Sequence, residues 1–301
     1  MAVTVAILGS LNLDVVFSCD SLPAPGETIL CSDVRSGPGG KGLNQAVAAR
    51  RAGCAVILIG AVGRDANGVT LLGTLEQEGI DPDRIARLDD APTGLAHIMV
   101  DRGGENSIVV ASGANKADFP LRSLIDGIEA PVFLAQLEVG LAPIKAFFAQ
   151  ARRAGSRTIL NAAPAIPAAS ALFEDSDILI LNEHELAQFS GASRPASDEA
   201  AIAEAARSLM VRDDQAIIVT LGARGTQIID ATGSRRIPAR MVTVTDTTGA
   251  GDCFCGVLAA SLARGAALAD AVGRANLAAS LAVQRSGAAA AMPTAAEIDA
   301  A

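Results

Sequence analysis

The chain has 301 residues, half of them hydrophobic, with 24 Lys plus Arg against 33 Asp plus Glu and a formal net charge of −9. That length can bury a large core, as one big α/β domain with a small appendage. The acidic balance, with no basic block, argues against nucleic acid or an anionic membrane as partner, and every long apolar run is broken by charge, Gly or Pro before it reaches a bilayer span.

In chain order, residues 3–8 read as a first strand, and the segment from Met1 lacks the basic n-region of a leader. Short apolar runs at 56–61, 132–135, 158–161, 178–181 and 217–220 suit strands buried on both faces. Helical stretches lie between them, at roughly 42–52, 66–78, 142–154 and 198–211. Residues 226–244 read as β structure, a helix follows around Asp252, and 266–285 is an alanine-rich helix. The alternation predicts a mostly parallel sheet covered by helices. Residues 11–37 and 93–111 break the pattern and read as hairpins or extended segments, with Pro23, Pro25 and Gly26 in the first turn and Gly103-Gly104 in the second. There is no internal repeat, and the alanine-rich tail reads as helix with a loose end.

The five cysteines, at 19, 31, 54, 253 and 255, show no metal-type pairing and read as small core residues in a reducing cytoplasm. His97 and His184 are too few for a histidine-rich metal centre, and His97 falls in an alternating strand pattern as a structural residue.

Candidate chemistry lies in two glycine-rich segments. Asp246-Thr247-Thr248-Gly249-Ala250-Gly251-Asp252 puts a carboxylate at the first turn of a helix after a bend whose amides converge. A base beside a phosphate cradle suits phosphoryl transfer to an alcohol. Residues 37–53 hold glycines at 37, 39, 40 and 42 before a helix with Leu43, Ala46 and Val47, and Lys41 and Asn44 share one of its faces. By itself this second segment reads as a tight turn before a buried helix. It is no P-loop, because Gly42 follows Gly40-Lys41 and Arg35 stands where the first glycine should be; nor is 249–254 a dinucleotide fingerprint, since residue 254 is Phe.

Together the two segments resemble the signature motifs of the ribokinase (PfkB) family of carbohydrate kinases. Further stretches follow in family order: Gly9-Ser10-Leu11-Asn12-Leu13-Asp14, Pro23-Ala24-Pro25-Gly26-Glu27-Thr28, Gly113-Ala114-Asn115, Gln136-Leu137-Glu138, Asn161-Ala162-Ala163-Pro164-Ala165, Asn182-Glu183-His184-Glu185 and Thr220-Leu221-Gly222-Ala223-Arg224-Gly225. The resemblance spans nearly the whole chain. It implies a ribokinase-like three-layer αβα core with a mostly parallel sheet over 1–10, 38–92 and 112–301. It also implies a β-sheet lid from 11–37 and 93–111 through which two copies form a homodimer.

The resemblance further implies ATP-dependent phosphorylation of the primary (O5) hydroxyl of D-ribose in the cytoplasm. Asp252 is the proton acceptor beside the amides of Gly249, Ala250 and Gly251. Asp14, Gly39, Gly40, Lys41, Asn44 and Glu138 match the positions that bind the sugar's hydroxyls or shape its pocket, with contact to phosphate the alternative role for Lys41. Asn182, Thr220, Gly222, Arg224, Gly225, Gly251 and Asn276 match the nucleotide positions. Glu185 matches a carboxylate that organises Mg²⁺ through water. Asp246, Thr248, Ala282, Arg285 and Gly287 match a K⁺ site, although Ala291 replaces a frequent serine ligand. Ala162 and Leu181 replace usual prolines. Another sugar or nucleoside is the alternative acceptor, and a non-catalytic sugar-binding regulator the alternative class. The absence of Trp and Tyr, with only eight Phe, favours a plain sugar over a stacked base, and Phe17 in the lid is the aromatic that bears on this.

Overall fold

The computed structural model describes residues 3–103, 105–196 and 198–301; Met1 and Ala2 of the expected core and Gly104 of the expected second turn lie outside them. Strand β1 (Thr4–Leu8) sends Val5 and Ile7 into one hydrophobic core and Ala6 and Leu8 into the other. This period of two is what a strand covered on both faces requires.

The chain then leaves the main sheet. Strands β2 (Asn12–Ser18) and β3 (Asp33–Gly39) pair antiparallel, helix α1 (Lys41–Arg51) follows, and β4 (Ala55–Gly63) returns parallel to β1. Helix α2 (Ala66–Gln77) starts on Asp65, whose carboxylate accepts from the Gly68 amide as an N-cap. Strand β5 (Ile85–Leu88) ends this side of the sheet. Strands β6 (Gly94–Val100) and β7 (Asn106–Ala111) complete a second sheet of order β3-β2-β6-β7. Asn115 fastens its base to the core, accepting from the Leu11 amide at 2.9 Å and donating to Asn12 Oδ1 at 2.7 Å.

Beyond helix α3 (Leu121–Ile125) the main sheet grows the other way, through β8 (Val132–Gln136), α4 (Leu141–Arg153), β9 (Arg157–Asn161), β10 (Ile178–Asn182), α5 (Glu183–Ser190), α6 (Glu199–Arg207) and β11 (Ala216–Thr220). A hairpin of β12 (Thr226–Asp230) and β13 (Gly233–Ile237) adds an antiparallel edge. Helices α7 (Ala250–Ala263), α8 (Leu268–Ala282) and α9 (Ala295–Asp299) follow. Helices α1, α2, α7, α8 and α9 pack on one face of the sheet and α3 to α6 on the other, giving a three-layer α/β fold.

The main sheet has the order β13-β12-β11-β10-β9-β8-β1-β4-β5. Strand order therefore reverses between β1 and β8. In open α/β sheets the crevice beyond the C-terminal strand ends at such a point receives ligands.

Several sequence expectations are corrected. The β structure expected over 226–244 stops at Ile237, because Pro238 cannot donate to the ladder and the chain runs irregularly to Gly249. The helix expected to 211 ends at Arg207. Helix α5 escaped the apolar pattern because it is short, yet its Asn182 to Glu185 spacing is a capping box with both reciprocal bonds made. The cysteines are not all small core residues: Cys54, Cys253 and Cys255 are buried and free, whereas exposed Cys31 forms a disulfide with Cys19 at the end of β2.

Candidate active site

Ser10 follows β1 and Glu138 follows β8, on either side of the reversal. Ser10 Oγ donates to Glu138 Oε2 at 2.5 Å, and the Lys41 backbone amide donates to the same oxygen at 3.2 Å. Lys41 opens α1, so this carboxylate sits against the positive end of a helix, where spare amides favour an anion. Asp14 reaches the same space from β2. Gly39 faces it with no room for a side chain, since any Cβ there would overlap the Asp14 carboxylate.

Asp252 comes from α7, which packs beside α1 in the same layer. Gly249 caps α7 at φ 73°, a left-handed conformation that other residues rarely adopt, and the helix turns at once toward α1. Asp252 is 7% exposed; Asn44 Nδ2 donates to its Oδ2 at 3.0 Å and Gln45 Nε2 to its Oδ1 at 3.0 Å. The Ala250 amide is taken by Thr247 O at 3.2 Å. That leaves Gly251 and Asp252 as first-turn amides with no intrahelical acceptor.

The charges are mutually dependent. Burial, with the carboxylates of Glu138 and Asp252 nearby, pushes Asp14 up to about 7. Burial also raises Asp252, against the pull of the Lys41 ammonium and the amides of Asn44 and Gln45. For Lys41, burial is outweighed by Asp252, Glu138 and Glu185, and its pKa stands above the usual lysine value. A carboxylate 7% exposed and within the field of the Lys41 ammonium can take a proton from a hydroxyl bound beside it.

Two cavities meet at Thr220, Thr247, Ala250 and Gly251. One, of ≈ 140 Å³, is polar and reaches Lys41, Glu185 and Asp252; the other, of ≈ 270 Å³, is mostly apolar and runs past Phe254 and Val283. Asn182 and Glu185 line the first, each side chain accepting from the other's backbone amide in the capping box of α5, and burial raises the Glu185 pKa against the bond from the Asn182 amide. Thr220, Gly222 and Gly225 line the second. Arg224 sits in the turn between them but its guanidinium is paired with Glu183. Asn276 also lines the second cavity, with both ends of its amide engaged by Thr226 Oγ1 at 2.5 Å and Ile237 O at 3.1 Å.

Asp246 turns back on itself. Its Oδ1 accepts from the Thr248 amide and its Oδ2 from the Gly287 amide, both at 2.9 Å, and these bonds outweigh burial to hold its pKa low. Its own amide donates to Val283 O at 3.1 Å, which folds the loop after Ala282 against the strand-like run before Gly249. Arg285 points to Glu297 at 2.5 Å, and Ala291 is buried. Among the described residues no three His, Cys, Asp or Glu side chains cluster as a metal site.

Sequence reading missed the polar residues behind the site. Ser10, Gln45, Gln136 and Asn161 are all buried. An amide inside an otherwise alanine-rich helix was the available signal for Gln45. The sidedness of Phe17 was also illegible: it lies one residue out of phase with Asp14 and Val16, so it stands on the far face of the second sheet, edge-on to His97 at 5.6 Å. Burial, with Asp252 beside it, pushes the Cys253 thiol up to about 12, away from the reactive thiolate form.

A carboxylate beside free helix-terminal amides, at the reversal point of a parallel sheet, defines a phosphotransferase site. The profile of the pfkB family carbohydrate kinases matches residues 3–295, and the chain belongs to that family. It is 35% identical over 311 residues to the ribokinase of Schizosaccharomyces pombe, covering 99% of this chain and 97% of that one. The structure of Arabidopsis thaliana ribokinase complexed with ribose and ATP superposes with a TM-score of 0.90 at 28% identity, covering 100% of this chain and 98% of that one. Ribokinase from Cryptococcus neoformans in complex with ADP gives 0.89 at 30% identity, covering 100% and 99%.

Proposed function

We propose that the chain is an ATP-dependent ribokinase, converting D-ribose and ATP to D-ribose 5-phosphate and ADP. The observation that carries this is the convergence of Asp14, Asn44 and Glu138 on the space in front of Asp252, a set of hydrogen-bonding groups suited to a polyol. In this reading Asp252 accepts the proton of the O5 hydroxyl while that oxygen forms its bond to the γ-phosphorus and the bond to ADP breaks. The amides of Gly251 and Asp252 hold the charge that gathers on the phosphoryl oxygens. The apolar cavity takes the nucleotide base, and Asn276 acts there as a post rather than a reader. Phe17, on the far face of its sheet, weighs against stacking a nucleoside base.

Magnesium, when bound, neutralises phosphate charge, and Glu185 would hold it through water, which suits an ion that keeps its hydration shell. One carboxylate, Asp246, with the backbone carbonyls of Thr248, Ala282, Arg285 and Gly287, fits a monovalent cation such as potassium. The second sheet, 11–37 and 93–111, acts as a lid over the body formed by 1–10, 38–92 and 112–301. Exposed Val34, Ile108, Val109 and Val110 on that sheet support a homodimer through it. A cytoplasmic setting follows from the need for ATP, and no helix among the described residues is long and apolar enough to cross a membrane. The Cys19–Cys31 bond is the feature that favours an oxidising setting instead.

The test is ATP turnover with D-ribose against pentoses, hexoses and nucleosides, with and without K⁺. Selective turnover of ribose, lost by at least ~10²-fold in kcat in Asp252→Asn, supports the reading. Turnover of another acceptor alone rejects the substrate. Binding of ribose with no turnover of anything rejects the enzyme.

A further inference from the structure

Gln45 lies on α1 one residue past Asn44 and is fully buried. Its amide nitrogen is 3.0 Å from Asp252 Oδ1 and 3.2 Å from Asn161 Oδ1, while its oxygen accepts from Gln136 Nε2 at 2.6 Å. A primary amide has two N–H donors, so both are committed, one to the carboxylate and one to Asn161. The partners end strands: Gln136 closes β8, Asn161 closes β9, and Asn161 Nδ2 reaches Ile180 O on β10 at 3.4 Å. A continuous set of hydrogen bonds therefore runs from three adjacent strands of the main sheet to one oxygen of Asp252.

Resting on the ribokinase reading above, we propose that Gln45 is a positioning residue for phosphoryl transfer, braced by Gln136 and Asn161 so that the Asp252 carboxylate presents its remaining lone pairs to the sugar's primary hydroxyl. Asn44 grips the other oxygen, and two grips fix the carboxylate plane where one leaves it free to turn about a broad torsion. Alignment is what this chemistry depends on, and a misplacement of about 1 Å can cost ~10² in rate. A buried carboxylate that loses a donor also keeps its proton to higher pH. The other groups that set its charge are Lys41 on α1, Glu138 beyond β8, Asp14 on β2, Glu185 on α5, and the thiols of Cys253 and Cys255 on α7.

Gln45→Met in the full chain keeps the length of the side chain and removes both its donors and its acceptor. With D-ribose and ATP, kcat is expected to fall by ~10- to 10²-fold while the ribose KM stays within about threefold. The acid limb of the kcat profile is expected to move to higher pH, so that activity partly recovers in alkali. The single variant leaves Gln136 Nε2 buried without its acceptor, so Gln45→Met/Gln136→Met is measured beside it. Removing both partners is expected to recover the part of the melting temperature lost through the unpaired Gln136 donor, but not kcat, since Asp252 and Asn161 still lack the Gln45 donors. A purely structural role would lower stability without moving the acid limb or separating kcat from KM. A folded variant with kcat within about threefold of wild type and an unmoved acid limb overturns this inference alone. A wild type idle on ribose overturns the ribokinase reading and this inference with it.

Discussion

Asn44 donates to Asp252 Oδ2 at 3.0 Å while its own Oδ1 is buried with no hydrogen-bond partner among the described residues. A buried acceptor left open is rare in native proteins and marks a place where a donor is awaited. A ribose hydroxyl satisfies it in the proposed complex. Asn44→Leu therefore removes one contact to sugar and one to the base: the ribose KM is expected to rise and kcat to fall, each by roughly 10-fold or more, as each lost hydrogen bond to a charged or buried group costs about 1.5–3 kcal/mol. Steady-state kinetics with an unchanged ribose KM would remove Asn44 from the sugar site.

Asp14 gives a pH signature with a defined sign. Its carboxyl is raised from 3.8 to about 7 by burial and by Glu138 and Asp252. The folded protein thus holds this proton more tightly than the unfolded chain, and the stability it contributes is full below about pH 4 and lost as pH rises through about 7. The Asp14→Asn variant should melt with the wild type at about pH 4 and above it at about pH 8. Protonated Asp14 accepts fewer hydroxyl hydrogens, so the wild-type ribose KM should rise between about pH 8 and about pH 6. Melting curves that keep the same gap across this range would contradict the environment assigned to Asp14.

Gly39 has no space for a methyl because the Asp14 carboxylate stands in its place. Gly39→Ala should displace Asp14 and raise the ribose KM by at least ~10-fold, with a stability loss of about 1–3 kcal/mol from overpacking. In Gly39→Ala/Asp14→Gly the stability should return and the affinity should not. Recovery of both in the double variant would show that Asp14 does not touch the sugar.

Ala291 offers a gain-of-function test. If Asp246 and the loop after Ala282 hold a monovalent cation, Ala291→Ser supplies a further oxygen. The K⁺ concentration for half-maximal activation should fall by roughly 2- to 10-fold, the scale of one added polar contact. An unchanged K⁺ dependence would separate Ala291 from the cation.

Much of the architecture was legible because strands buried on both faces leave apolar runs such as 178–181, and such runs alternate with helices through most of the chain. What escaped depended on register or on partners distant in sequence. Phe17 and Asp14 sit on the same strand, and only the pleat assigns them to opposite faces. Gln45 pairs with residues 91 and 207 positions away, which no local pattern reveals. The motif residues were legible as a pattern, but Arg224 is committed to Glu183 and Asn276 to Thr226, which only packing could disclose.

The bonds that assemble the site join residues far apart along the chain: 128 positions between Ser10 and Glu138, and 208 between Asn44 and Asp252. During synthesis the residues proposed for the sugar side emerge before Asp252, the proposed base. A nascent chain can therefore gather its sugar-binding half with no proton acceptor in place, and contacts of such long span are slow to close. A chain cut before Asp252 lacks the proposed base and should bind sugar, if it folds, without turning over ATP.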